Sequence, residues 1–224
     1  MLGEAIGDLL PSAVGVALSP VPIVAVILML GTPRARTNGP AFAVGWVAGL
    51  TAVTVLVLWL ADGADDDSGT NTAADVVKLL LGLLLLGVAA RQWRSRPQGG
   101  EEPALPEWMS ALDHFTPARA LGLGLLLSAV NPKNLALTVA AGASIAQAGV
   151  SLGGDAAAVA VFVVLGSLTV AGPVVASVLA GERVRAPLES AKQFMAGNNA
   201  VIMAVVCLVL AAKLIGAALG GLTD

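Results

Sequence analysis

Lys133 sits inside the apolar run Leu125-Leu126-Leu127-Ser128-Ala129-Val130-Asn131-Pro132-Lys133-Asn134-Leu135-Ala136-Leu137. An ammonium group there is a fixed cation with three N–H donors, and hydrocarbon offers it nothing to bind. An anionic head group, a carboxylate or a proton-linked switch could all use it, and the bland alternative is a lysine that snorkels to an interface. Asn131, Asn134 and Ser128 place further donors and acceptors at the same depth. A second polar interruption, Ser19-Pro20-Val21-Pro22, falls in another apolar run. Proline removes a backbone donor and leaves a carbonyl open about one turn earlier. Pro20, Pro22 and Pro132 therefore predict two helices broken in mid-course, exposing backbone polar groups and half-helix dipole ends to a ligand. Such kinks can also be purely architectural. The run Gly166-Ser167-Leu168-Thr169-Val170-Ala171-Gly172-Pro173 marks a third break or gate at Gly172 and Pro173, where small residues suit close helix packing equally well.

The elements that must position these groups follow from composition. The chain has 224 residues, of which 57% are hydrophobic and 12% charged, with a mean hydropathy of +0.86. Those values lie outside the range of soluble domains and predict an all-α integral membrane protein. At roughly 20 residues per crossing, the apolar stretches predict six spans, near residues 9–32, 41–61, 75–92, 118–146, 156–180 and 197–219. One membrane domain over 1–224 accounts for the whole chain. Glu4 and Asp8 stand where a signal peptide carries basic residues, so the first segment is expected to be retained. The Asp62 to Asp67 cluster, in the acidic tract that runs to Asp75, reads as a solvated outer loop, with weak cation binding as its alternative. Trp108, Met109, Leu112 and Phe115 share one face of a short helix expected on the cytoplasmic interface. His114, on the same segment, is assigned no role. The glycine pairs Gly45/Gly49 and Gly216/Gly220 have the spacing of tight helix contacts. Asn198 and Asn199 are expected as interfacial caps at the start of the last span.

Charge sidedness sets the topology. Arg34, Arg36, Arg91, Arg94, Arg96, Arg119, Arg183, Arg185 and Lys192 fall on one face, which the positive-inside rule makes cytoplasmic. Glu4, Asp8, Asp155 and the acidic tract fall on the other, so both termini are expected outside, with the protein multi-pass in the plasma membrane. An even number of spans permits two inverted three-helix repeats, taken as 1–96 and 118–224 around a cytoplasmic loop 97–117. The match of Gly15-Val16-Ala17-Leu18-Ser19-Pro20-Val21-Pro22 with Gly124-Leu125-Leu126-Leu127-Ser128-Ala129-Val130-Asn131-Pro132 supports that division. So does the match of Leu86–Arg91 with Leu208–Lys213. Paired proline-interrupted helices in corresponding halves point to a transporter site near the midplane.

Chemistry of other kinds lacks residues. No histidine or acid falls inside a span and the single cysteine, Cys207, has no evident base, so no intramembrane enzyme is expected. The chain has no G-x-x-x-x-G-K-[ST] loop for ATP. No cofactor, metal or nucleic-acid partner is expected. The expected partners are membrane lipids and a lipid or small-molecule substrate, with a homodimer through small-residue faces.

The stretch from Leu18 through Ser19-Pro20-Val21-Pro22 and Thr32-Pro33-Arg34-Ala35-Arg36 to Asn38-Gly39-Pro40-Ala41-Phe42 and Gly45-Trp46 resembles the N-terminal signature of the GAP family. That family comprises mycobacterial and actinobacterial proteins that address peptidoglycolipids or sulfolipids to the cell surface, within the LysE transporter superfamily. Asn131-Pro132-Lys133 is similar to the Asn-Pro-Lys of LysE-type exporters, and Ala212-Lys213-Leu214-Ile215-Gly216 looks like the end of the family's last helix. The resemblance implies six helices in a LysE-like inverted arrangement and export from the cytoplasm. LysE-type exporters show Pro-Gly-Pro where this chain has Pro20-Val21-Pro22, so their amino-acid site is not carried over. The expected function is an exporter, or an export accessory, moving a lipid-linked or amphipathic anion outward by alternating access. Lys133 would contact the anion, Asn131, Asn134, Ser128 and Ser19 would hydrogen-bond it, and the prolines would hold the helices open. A small-solute exporter of amino acids or cations is the alternative.

Overall fold

A computed structural model describes residues 2–62, 72–96 and 114–223. Their regular structure is helical: α1 (Leu2–Ala17), α2 (Pro20–Leu30), α3 (Ala35–Asp62), α4 (Thr72–Arg94), α5 (Pro117–Ala129), α6 (Pro132–Gln147), α7 (Leu152–Ala180), a 3-10 turn (Gly181–Val184), α8 (Arg185–Gly197) and α9 (Asn199–Thr223). In hydrocarbon every backbone group needs an internal partner, and a helix supplies one within its own segment. Four helices are each long and apolar enough to cross a membrane, and α1 with α2 and α5 with α6 pass the same test as bent pairs, giving up to six spans. The protein is a multi-pass membrane protein. The tract at 63–71 and most of the expected interfacial helix lie outside the described residues. At the end of that helix His114 is exposed, while Phe115 packs against the core.

The bends lie next to prolines. Pro20 is the first residue of α2 and Pro132 the first of α6, a position where a missing N–H costs a helix nothing. α1 meets α2 at 51°, and α5 meets α6 at 62°. Pro40 likewise sits within the first turns of a helix, and α3 starts at Ala35, ahead of the apolar run that begins at residue 41. The expected break at Gly172 and Pro173 is not one: α7 runs unbroken through both. A single missing donor is too small a loss to interrupt a helix whose flanking turns are intact and packed. Asn198 stands between two helices: its Nδ2 donates to the Phe194 carbonyl at 2.9 Å at the end of α8, and its own carbonyl accepts from the Ile202 N–H at 2.9 Å just ahead of Asn199, the first residue of α9.

Packing between helices in lipid depends on close approach of backbones. α3 and α5 touch through Gly45 and Gly124, where a Cβ would overlap the Leu121 and Phe42 carbonyls respectively. Gly49 continues that seam against Ser128, whereas a Cβ at Gly216 or Gly220 would meet no neighbour, so the second glycine pair is not required for close helix packing within the chain. α4 and α9 form the other extensive pair. At its rim Asp75 is buried against Gly221 and ion-paired with Lys78 at 2.9 Å. Trp46, Phe42 and Phe162 fill the centre of the core. The indole N–H of Trp46 donates to the Gly166 carbonyl at 3.3 Å, tying α3 to α7.

Candidate functional site

The two bends meet. Lys133, in the first turn of α6, reaches across to the α1–α2 junction, where Nζ donates to Ser19 Oγ at 2.6 Å and to the Leu18 carbonyl at 3.3 Å. Ser19 Oγ donates onward to Asn134 Oδ1 at 2.8 Å, and Asn134 Nδ2 donates to the Leu127 carbonyl at 2.9 Å. Two of these bonds fill backbone carbonyls left open by the bends. The Leu18 carbonyl would ordinarily accept from the residue four positions on, which is Pro22 and has no N–H. The Leu127 carbonyl would accept from Asn131, but that N–H turns to Leu126 at 3.2 Å. Open carbonyls in an apolar interior are costly, and two side chains of α6 fill them. Nearby, Thr169 of α7 donates to the Ala17 carbonyl at 2.6 Å, so the last turn of α1 is held from two directions.

The electrostatics of this point are one-sided. Lys133 is only 4% exposed and has no carboxylate partner among the described residues. Its contacts are a hydroxyl and a carbonyl, both neutral. The N-termini of α2 and α6 converge on it, and each carries the partial positive charge of a helix dipole. An ammonium has three donors, of which two are placed. Cys207 of α9 is fully buried.

Of the residues expected to bind substrate, Ser19, Lys133 and Asn134 come together. Asn131 is adjacent but engaged with its own helix, its Oδ1 accepting from the Lys133 backbone N–H at 3.1 Å as the cap of α6. Ser128 is buried on the other side of α5, donating to the Leu125 carbonyl at 3.1 Å and facing Gly49. Pro20, Pro22 and Pro132 lie at the junction. Gly172 and Pro173 lie further along α7, beyond Thr169. Sequence reading passed over the Leu18 and Leu127 carbonyls and Thr169. The proline rule contained the signal for the first, since Leu18 stands four residues before Pro22.

A cavity of about 820 Å³ opens elsewhere, at the far end of α2, and neither Lys133, Ser19 nor Asn134 lines it. Its walls come from the C-terminal ends of α2 and α7, the first turns of α3, the 3-10 turn and α8. The Arg34 guanidinium and Asn38 Nδ2 both donate to the Phe115 carbonyl on this same basic face, at 3.5 and 2.9 Å. The opposite face is tied by Lys213, whose Nζ donates to the Asp8 carbonyl at 2.6 Å.

A protein-family model described as Sap, sulfolipid-1-addressing protein, matches residues 9–220. No curated protein matches the chain, and no solved structure does.

Proposed function

The chain belongs to the sulfolipid-1-addressing protein family, and from that premise we propose that it exports, or helps to export, a lipid-linked or amphipathic anion across the plasma membrane by alternating access. One observation carries the reading: a buried ammonium with only neutral partners, placed where two half-helix N-termini converge. A buried charge without a counter-ion is expensive in lipid, and a transport site can use that cost, because the arriving anion relieves it. Lys133 contacts the anion, while Ser19 and Asn134 hold the ammonium in position and can turn their own polar atoms to the ligand. Asn131 fixes the start of α6, and Pro20, Pro22 and Pro132 keep the junction open. The protein is not an enzyme in this reading.

Helix packing favours an inverted, LysE-like repeat. α3 of the first half lies along α5 of the second, and α7 of the second lies along α1 of the first. α4 and α9, the last helices of the two halves, pair with each other. A twofold axis in the membrane plane would account for these three pairings. The basic face is then cytoplasmic and both termini are outside. Small-solute export is the rival within transport. Cells lacking the protein, complemented by wild type or by Lys133→Met, separate the readings. An envelope lipid lost from the surface, accumulated inside and restored by wild type alone supports lipid export through Lys133. Build-up of an amino acid or ion with unchanged lipids supports the rival, and restoration by both versions removes Lys133 from the path.

A further inference from the structure

α8 is held to the basic face differently from the α3–α5 seam beside it. Leu188, Ala191 and Met195 recur at helical spacing and pack against the core, where α2 is the helix that α8 lies on. None of its residues is buried. Its polar side chains are satisfied within the segment. Arg185 pairs with Glu182 at 2.9 Å, Lys192 with Glu189 at 2.7 Å, and Gln193 donates to Glu189 at 3.3 Å. Ser190 and Asn198 donate to carbonyls one turn back, those of Ala186 and Phe194. Among the described residues, no side-chain hydrogen bond or ion pair joins α8 to another helix. The α3–α5 seam is strapped instead: Arg34 and Asn38 both donate to the Phe115 carbonyl, and the backbones touch at Gly45 and Gly124. Both ends of the α8 segment also have room to turn. Gly181 has φ +55°, which residues with a Cβ rarely adopt, and a Cβ at Gly181 or Gly197 would meet no neighbour. Nor is α2 the only surface that suits α8. A helix with one apolar and one charged face is also stable in the plane of a membrane interface, and exposed Phe194 extends the apolar face of α8.

We propose that α8 is the gate of the basic face: it pivots at Gly181 and Gly197, exchanges its seat on α2 for the membrane interface, and so frees the half-helix whose start holds Ser19 against Lys133. The cavity of about 820 Å³ marks where the two separate, since Leu188 of α8 lines it together with Ile27 and Leu30 of α2. α2 carries the movement inward. Its far end and Ser19 lie about 15 Å apart at the rise of an α-helix, and a rigid rod that loses its outer support can tilt at the junction. Moving α8 breaks no polar contact to the bundle and leaves its apolar face covered by lipid, so two seats of similar energy are available to it. The purpose of the gate rests on the export reading, whereas the motion of α8 does not.

The test reads the motion first. Spin labels at Gln193→Cys on α8 and Thr37→Cys on α3, both exposed positions, are placed in the full chain with Cys207→Ala and measured by pulsed electron paramagnetic resonance in nanodiscs of phosphatidylglycerol and phosphatidylcholine. Two distances are expected, that of the seated helix and a longer one. Gly181→Ala, which strains the seated backbone, should raise the longer population. Leu188→Gln should raise it about fivefold, the scale of one partly buried apolar side chain. A single distance, unchanged in both variants, would overturn the gate. Export then separates a gate from a helix that merely moves. In cells carrying Leu30→Cys with Leu188→Cys, a short bismaleimide, its bridge confirmed by mass spectrometry, should abolish surface-lipid export, and either single cysteine under the same treatment should keep it. Full export by the bridged protein would overturn the gate. Failure of the export reading shows separately, as full restoration of surface lipid by Lys133→Met, and leaves the spin-label distances unaffected.

Discussion

The two bent spans begin alike and use their capping residues differently. Each second half-helix opens with proline as its first residue and a polar residue just before it, Ser19 ahead of α2 and Asn131 ahead of α6. Asn131 caps the helix it precedes. Ser19 makes no cap on α2, and its hydroxyl instead lies between Lys133 and Asn134 of the other span. A cap stabilises its own helix by about 1 kcal/mol, so the first span forgoes that gain. In exchange it holds a cation that would otherwise have a single carbonyl for company. One junction residue serves its own helix and the other makes contact across the protein.

The largest effect should come from Lys133→Met. Removing a buried charge whose partners are neutral relieves desolvation and leaves two acceptors open, so fold stability should change little, while export falls to the level of cells without the protein. Surface-lipid extraction beside a thermal melt of the purified variant reads both quantities. Loss of folded protein in step with loss of export would make the lysine a structural element and erase the contrast between the junctions.

Ser19→Ala comes next. It leaves Asn134 Oδ1 buried without a donor and strips Lys133 of its shorter contact, for a cost of about 1–3 kcal/mol. Export should fall further than that loss of folded protein accounts for, and Ser19→Thr, which keeps the hydroxyl, should recover it. The sharper comparison sets this variant beside Asn131→Ala, which loses a cap worth about 1 kcal/mol. Asn131→Ala should lower the melting temperature yet keep export per folded molecule near wild type. Equal export defects in the two alanine variants would mean that both residues bind substrate.

Local rules made part of this visible in the sequence. Apolar runs outlined the helices because each span answers to the thickness of the bilayer, and the ends of α1 and α5 fall just before prolines that cannot sit in a helix interior without loss. The difference between Ser19 and Asn131 was not visible, because the contact from Lys133 to Ser19 joins residues 114 positions apart. Ser128 shows the same limit. Its depth matches that of Lys133, but its place on α5 turns it to Gly49. The cavity rim unites Arg36 with Arg185 from opposite halves of the chain, and charge sidedness located the face that they share without showing that they meet.

Pro173 offers the smallest expected effect and completes the comparison, since the same residue type occurs there with the opposite result. Pro20 and Pro132 start helices, where their missing N–H has no consequence. Pro173 lies inside α7, where it deprives the Thr169 carbonyl of its usual donor without stopping the helix. Pro173→Ala restores that donor and a better helix former, so stability should be unchanged or slightly raised. Because the Thr169 hydroxyl serves the Ala17 carbonyl and the substitution leaves that bond intact, export should also stay near wild type. A marked export defect with an unchanged melting temperature would make the weakened turn at Thr169 to Pro173 a hinge after all, placing the moving part in α7 as well as at the two junctions.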